Sequence, residues 1–249
     1  MISIVRGLKE YYLKPQVGAQ YNYRFETIID DFTNEKRPIQ KSCIRDVMIM
    51  PIEKQDSLEI YQIFTSKITI KSNVSIADEY LIKQLGYVFD EIEAGVDFSG
   101  KIVKIYNLKA LQFRWNLKQE ELEQDYIGAS VYSYFKNIGR ILNNESQLID
   151  FLSDYKMFGL YFHGLFGNYL LWEMPIKREL RIEDFEYTIV NEQIFPEKRD
   201  FVKYKIEGKS EAIDEYKGEL IYNEFQLQEA LIVCENKMHS IKYGALFLG

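Results

Sequence analysis

Tyr21-Asn22-Tyr23-Arg24-Phe25-Glu26-Thr27-Ile28-Ile29 alternates side-chain character almost residue by residue. A period of two puts Tyr21, Tyr23, Phe25, Thr27 and Ile29 on one face of an extended strand and Asn22, Arg24, Glu26 and Ile28 on the other. A strand with one aromatic face has to bury that face, so the stretch calls for a sheet covered on one side. A polar turn region over 30–38 follows. Residues 41–52 read as a second strand that ends or lies at an edge near Pro51. Residues 58–71, dense in β-branched and aromatic side chains, read as a long third strand.

Ser75, with Asp78 three residues on, is the expected N-cap of a short helix that runs to about Leu85 and stops at Gly86. Residues 87–98 then read as a strand, Ser99-Gly100 as a tight turn and 101–106 as the returning strand. Asn107 is the expected cap of a helix whose Leu108, Leu111, Trp115 and Leu122 fall near one stripe. Val131, Tyr134, Phe135, Ile138, Ile141 and Leu142 follow helical spacing. Leu148, Phe151, Leu152 and Tyr155 do the same after Asn143-Asn144, which predicts an antiparallel helical hairpin. Residues 157–169 are ambiguous between helix and loop. Further strands are expected at 170–174, 187–192, 201–207, 218–223, 225–234 and 237–247, with turn signals at Glu207-Gly208, Lys217-Gly218 and Glu235-Asn236.

These readings combine into an α+β fold. Its curved antiparallel sheet has roughly eight to ten strands, with a central helical insertion packing on one face. The expected unit is a single domain over 1–249: N-terminal strands with one short helix at 20–107, a helical segment at 108–160 and C-terminal antiparallel strands at 170–249. The face of Tyr21, Tyr23 and Phe25 is expected to pack on the hairpin of residues 130–156.

Composition narrows the function. The chain has 249 residues, 47% of them hydrophobic and 28% charged, the balance of a soluble globular protein. Its net charge of −7 repels phosphate backbones, so a nucleic-acid partner is disfavoured. The best basic stripe, Lys101, Lys104, Lys109, Arg114 and Lys118, runs straight into Glu120, Glu121, Glu123 and Asp125 and reads as a solvated face of mixed charge. The N-terminus lacks an apolar signal segment, and no apolar run reaches the ~20 residues of a membrane span. The expected location is cytoplasmic. Cys43 and Cys234 read as buried thiols, not as a disulfide or a metal site.

Motifs for catalysis are sparse. Gly208-Lys209-Ser210 has the tail of a phosphate loop, but Lys203 stands where its first glycine belongs. Gly128-Ala129-Ser130 lacks the closing glycine of a nucleophile elbow, since Tyr132 occupies that position. Tyr132 and Lys136 stand four apart without a nucleotide fingerprint. Glu91 with Glu93, and Glu183, Asp184 and Glu186, read as surface carboxylates. His163, beside Gly164 in Tyr-Phe-His-Gly-Leu-Phe-Gly-Asn, reads as a partly buried ring bonded to backbone, and His239 as a strand residue. No cofactor is expected.

The run Val96-Asp97-Phe98-Ser99-Gly100-Lys101-Ile102, followed by Ile105 and Asn107, resembles the hairpin-then-helix step of uncharacterised proteins from Bacteroidota-type bacteria. Some of those are similar to lipoprotein-carrier folds. The resemblance covers residues 20–125 and the strand-rich tail. It implies an antiparallel sheet curled around helices as a half-barrel cup, and it carries over no functional residue.

The leading functional expectation is a non-enzymatic module that binds another protein, of the immunity-protein or secretion-effector adaptor or chaperone kind. Aromatic side chains give large contact area at low entropic cost, and an acidic surface steers towards basic partners. The candidate contact residues are Tyr21, Tyr23, Phe25, Trp115, His163 and Trp172. Exposed aromatic rings serve a homodimer as readily as a foreign partner. The second expectation is a half-barrel holding an apolar small ligand or lipid, which needs an open cup. The third is a carboxylate-dependent hydrolase around His163 and Glu173.

Overall fold

Strand β2 (Tyr21–Asp31) is the one-sided strand that its alternation demands: Tyr21, Tyr23, Phe25 and Thr27 are buried, and the residues between them are not. It belongs to a computed structural model that describes residues 11–13, 15–34, 36–75, 78–169, 175–182, 185, 188–198 and 202–249. From β2 the chain meanders outward through β3 (Ile39–Gln55), β4 (Leu58–Ser72), β5 (Glu91–Val96) and β6 (Ile102–Ile105), each antiparallel to the last. Helix α1 (Glu79–Gly86) lies between β4 and β5. Helices α2 (Leu108–Asp125), α3 (Ala129–Leu142) and α4 (Glu145–Ser153) follow β6. Short strands β1 (Tyr11–Leu13) and β7 (Gly167–Tyr169) pair with each other.

The chain re-enters the sheet at its far edge with β8 (Ile176–Ile182). It meanders back through β9 (Thr188–Lys198), β10 (Val202–Lys209), β11 (Glu215–Asn223) and β12 (Gln226–Glu235) to β13 (His239–Phe247). Among the described residues, the eleven strands of this sheet stand in the order β6-β5-β4-β3-β2-β13-β12-β11-β10-β9-β8. Every neighbouring pair but β2–β13 is consecutive in this sheet's chain order. That pair, running from Asp31↔His239 to Tyr23↔Phe247, joins the two meanders at the centre. The helices therefore leave one edge of the sheet and the chain returns at the other. The expected α+β class with a curved antiparallel sheet holds, with eleven strands in place of eight to ten.

Curvature follows from side-chain reach. β8 and β13 are five strands apart, roughly 24 Å in a flat sheet. Yet Tyr155 takes a hydrogen bond from Arg178 of β8 at 2.7 Å while its ring lies 5.9 Å from that of Tyr243 on β13. The sheet closes around residues 155–166, where Phe158, Leu160, Tyr161, Phe162, Leu165 and Phe166 are all buried. Tyr161 meets Tyr23 at 5.2 Å, Phe158 meets Phe25 at 5.8 Å and Phe162 meets Tyr61 of β4 at 5.3 Å. The rings that meet Tyr23 and Phe25 thus come from the segment just past the hairpin of residues 130–156. The helices form their own layer, with Trp115 on Phe135 at 5.7 Å and Phe151 on Phe89 at 4.9 Å.

Several local expectations shift, each for a physical reason. β3 runs on through Pro51; the proline has no N–H to lose, its carbonyl accepts from Gly18 at 2.7 Å, and the register slips between Pro51 and Glu53. α1 starts only after Asp78, which takes a left-handed φ of 60°, and Ser75 lies outside it. Residues 87–89 form a 3-10 turn that buries the adjacent pair Val88 and Phe89, which an alternating strand would point to opposite faces. Asn107 stitches β5, accepting from Glu93 N–H and donating to the Glu91 carbonyl, and its side chain does not cap α2. β8 is an additional strand whose pattern Lys177, Arg178, Glu179 and Arg181 obscure; charge of this kind suits an edge strand. The expected strand at 170–174 lies outside the described residues. No disulfide joins Cys43 and Cys234. Among the described residues, no helix is long and apolar enough to cross a membrane.

Candidate functional site

Alternation on β8 and β9 places two charges on the inner face of the sheet. Arg178 falls in phase with Ile176, Leu180 and Ile182, and Glu192 in phase with Val190 and Ile194. The register sets Arg178 directly opposite Glu192, and their side chains pair. Glu192 is 1% exposed, so its charge is tolerated only because the partners saturate it. One carboxylate oxygen accepts from Tyr155 at 2.9 Å and from Tyr216 of β11 at 2.5 Å, and the other accepts from the Arg178 Nε–H. Arg178 also donates to the Tyr155 hydroxyl and to the His163 carbonyl.

His163 joins this knot through its backbone and a second pair through its ring. Its Nδ1 accepts the Leu165 N–H at 3.1 Å, which leaves the ring proton on Nε2, bonded to the Tyr222 hydroxyl. Burial, and then the Arg178 charge, hold the imidazole well below its ordinary 6.5, so the ring is neutral. Burial pushes the Tyr155 and Tyr216 hydroxyls up, so both stay protonated and donate. Burial opposes the Arg178 charge, but Tyr155 and Glu192 outweigh it and raise its pKa. The arrangement is chemically quiet: the imidazole has both nitrogens engaged, and the phenols cannot ionise near neutrality. It locks the 155–166 segment to the far half of the sheet.

Beside this knot is a cleft of about 470 Å³ between α4 and β8. Phe151, Tyr155, Met157, Leu180, Ile182 and Tyr243 supply its apolar surface, and Asp150, Asp154, Lys156 and Arg181 its charges. Among the described residues, no three His, Cys, Asp or Glu side chains converge as a metal requires.

The candidate contact residues fall in several places. Tyr21, Tyr23 and Phe25 are 6%, 1% and 2% exposed on the inner face of β2, and His163 is buried in the same interior. Trp115 is buried in the helical layer, apart from them. Trp172 and Glu173 lie outside the described residues. The interior therefore gathers Tyr23, Phe25 and His163 around one segment and turns them away from solvent. In the basic stripe, Arg114 pairs with Asp90 and Glu91, and Lys118 with Glu121, as a face of mixed charge requires.

Solvent-facing apolar residues are spread over strands and helices, but most of those that are more than half exposed belong to the helical part. Phe98, on the β5–β6 turn, is 87% exposed and Ile127, between α2 and α3, 81%. Phe113 and Leu117 of α2, Tyr80 of α1, and Tyr132 and Tyr134 of α3 are each more than half exposed.

No protein-family model matches the chain, and no curated protein matches it. A solved structure of lipovitellin, concerned with its lipid–protein interactions, superposes on 95% of this chain with a TM-score of 0.47 and 8% identity. The match covers 26% of that protein, so this chain spans about a quarter of its length. A likeness of this degree carries no functional argument.

Proposed function

We propose that the protein is a non-enzymatic module that binds another protein through its helical layer. The observation behind this reading is that α2 is apolar on two opposite sides. Leu111, Trp115 and Leu122 are buried on one, while Phe113 and Leu117, four residues apart and so on one face, are 67% and 54% exposed on the other. An apolar face left in water beside a complete core is what a docking surface looks like before its partner arrives. The quiet chemistry of the interior knot supports a binding role over a catalytic one. The test is native mass spectrometry of the protein isolated gently from its host. A stoichiometric second polypeptide is expected. The Phe113→Ser/Leu117→Ser variant should weaken it by at least about thirtyfold, as loss of a buried hot spot does, with an unchanged melting temperature. A partner held equally by the variant overturns the reading.

The cleft beside Tyr155 favours a second reading, a small ligand with an apolar body. The 155–166 segment fills the space under β2 and β4, so such a ligand has this cleft and not the whole cup. A bound adduct of a few hundred daltons, lost from a Leu180→Trp variant, is the expected sign.

A further inference from the structure

Gly244 stands at the centre of the sheet, in β13, and its own surroundings do not require a glycine. Its φ is outside the left-handed region, and a Cβ there would meet nothing closer than the Ala230 and Glu26 carbonyl oxygens at 3.9 Å. Glycine inside a strand weakens it and often marks a place where another group comes close to the backbone. Alternation turns Gly244 outward, to the face opposite the buried Tyr243 and Ala245. The register sets Leu231 of β12 on one side of it and Glu26 of β2 on the other, with Leu246 two residues on, between Glu229 and Arg24. These residues enclose a groove of about 210 Å³, walled by the half-exposed Leu231 and Leu246. That is below the roughly 300–1,000 Å³ of small-molecule pockets, so the groove suits a single side chain. Arg24 is engaged by Asp46 at 2.8 and 3.2 Å. The open charges of the groove are therefore Glu26 and Glu229, which have no ion-pair partner among the described residues. Lys242, two residues back along β13, lies outside the lining.

A shape that fits this groove is on the β5–β6 turn of the same chain. Phe98, 87% exposed, is held out by a fixed backbone. The Asp97 carboxylate accepts the Ser99 N–H at 2.9 Å, the Ser99 hydroxyl at 2.7 Å and the Lys101 N–H at 3.0 Å, and Gly100 supplies the left-handed φ of 86° that the turn needs. A preformed turn loses little freedom when its aromatic side chain docks. Its carboxylate is occupied by these bonds, so the open charge beside Phe98 is the exposed Lys101. Four strand spacings separate β5 from β13, roughly 19 Å, so Phe98 and the groove meet only between copies.

We propose that the chain binds a second copy of itself head to tail, with Phe98 of one copy seated over Gly244 of the other and Lys101 against Glu26 and Glu229. An aromatic side chain covers the bare backbone as it does for glycines within a sheet, and the charges on the two surfaces are opposite. The contact goes beyond the helical-layer reading and uses neither Phe113 nor Leu117. Each docked pair leaves one free Phe98 and one free groove, so the contact either closes a circle of copies or continues as a series.

The test is sedimentation velocity of the full chain from about 10 μM to about 1 mM, the range of a small contact. The sedimentation coefficient should rise with concentration, and less so in high salt. Phe98→Ser and Gly244→Ile should each weaken association about tenfold or more. Gly244→Ile should keep or raise the melting temperature, since the Cβ has room and isoleucine suits a strand. An equimolar mixture of the two variants should associate again and stop at a one-to-one dimer, because one supplies only the groove and the other only Phe98. A wild-type chain that stays monomeric throughout, variants that associate as the wild type does, or a mixture that stays monomeric overturns the proposal. Loss of self-association in Phe113→Ser/Leu117→Ser also overturns it, by placing the contact on the helical layer.

Discussion

Glu192 is a carboxylate where an alternating strand should place a hydrocarbon. Removing its charge leaves Arg178 buried and three donors without their acceptor. Glu192→Leu should therefore cost about 3–5 kcal/mol of stability. Adding Arg178→Met, which removes the orphaned charge, should recover more than half of that loss in chemical denaturation. A double variant as unstable as the sum of the single ones contradicts the pairing. His163 gives a pH signature. Its folded-state pKa is depressed, so between that value and the ordinary 6.5 the unfolded chain takes up a proton that the folded one refuses. Its contribution is full above pH 6.5 and is lost as pH falls towards the folded value. The melting temperature should drop in that window, and His163→Gln should flatten the drop. At this scale the sequence holds a readable signal. Arg178 between Ile176 and Leu180, and Glu192 between Val190 and Ile194, are charges in the apolar phase of two adjoining strands. The charges surrounding Arg178 on β8 hid that phase.

Among the elements, the 155–166 segment decides what the sheet can hold. Phe158, fully buried against Phe25, is its clearest lever: Phe158→Ala should cost about 3–5 kcal/mol. It should also bring the hydrophobic dye ANS onto the exposed sheet face, while a surface control such as Phe98→Ala should not. The Glu145 carboxylate of α4 accepts the Ile105 N–H of β6 at 2.8 Å and ties the helix to the edge of the sheet. Glu145→Ala should speed hydrogen exchange at that amide and leave the centre of β3 unaffected. β2, α3 and α4 are legible because each one's burial is set by its own repeat, and β4 is legible from its β-branched and aromatic composition. The 155–166 segment is not. Its aromatic residues point to β2, β4 and β11 in turn, so no period of 2 or 3.6 survives, and its conformation comes from tertiary contacts. For the same reason the sequence marked Tyr21, Tyr23 and Phe25 as sticky but could not say that the chain itself would cover them.

On the scale of the molecule, two local meanders are joined by one long-range pairing. β2 and β13 meet with Tyr23 opposite Phe247, so closing the seam encloses a loop of more than 200 residues. Loop closure on that scale costs roughly 5 kcal/mol in chain entropy before any contact rewards it, whereas the hairpins on either side close cheaply. The seam should therefore form last. The backbone offers an internal clock. The amides of Asn22 and Phe32 donate across the seam, to Gly249 and Met238. Alternation then aims those of Arg24, Glu26 and Ile28 at β13, and those of Tyr23, Phe25 and Thr27 at β3. Pulse-labelled hydrogen exchange during refolding should find the odd-numbered amides of β2 protected before the even-numbered ones on the same strand. Simultaneous protection would mean that the sheet condenses in one step and that the seam is part of the nucleus.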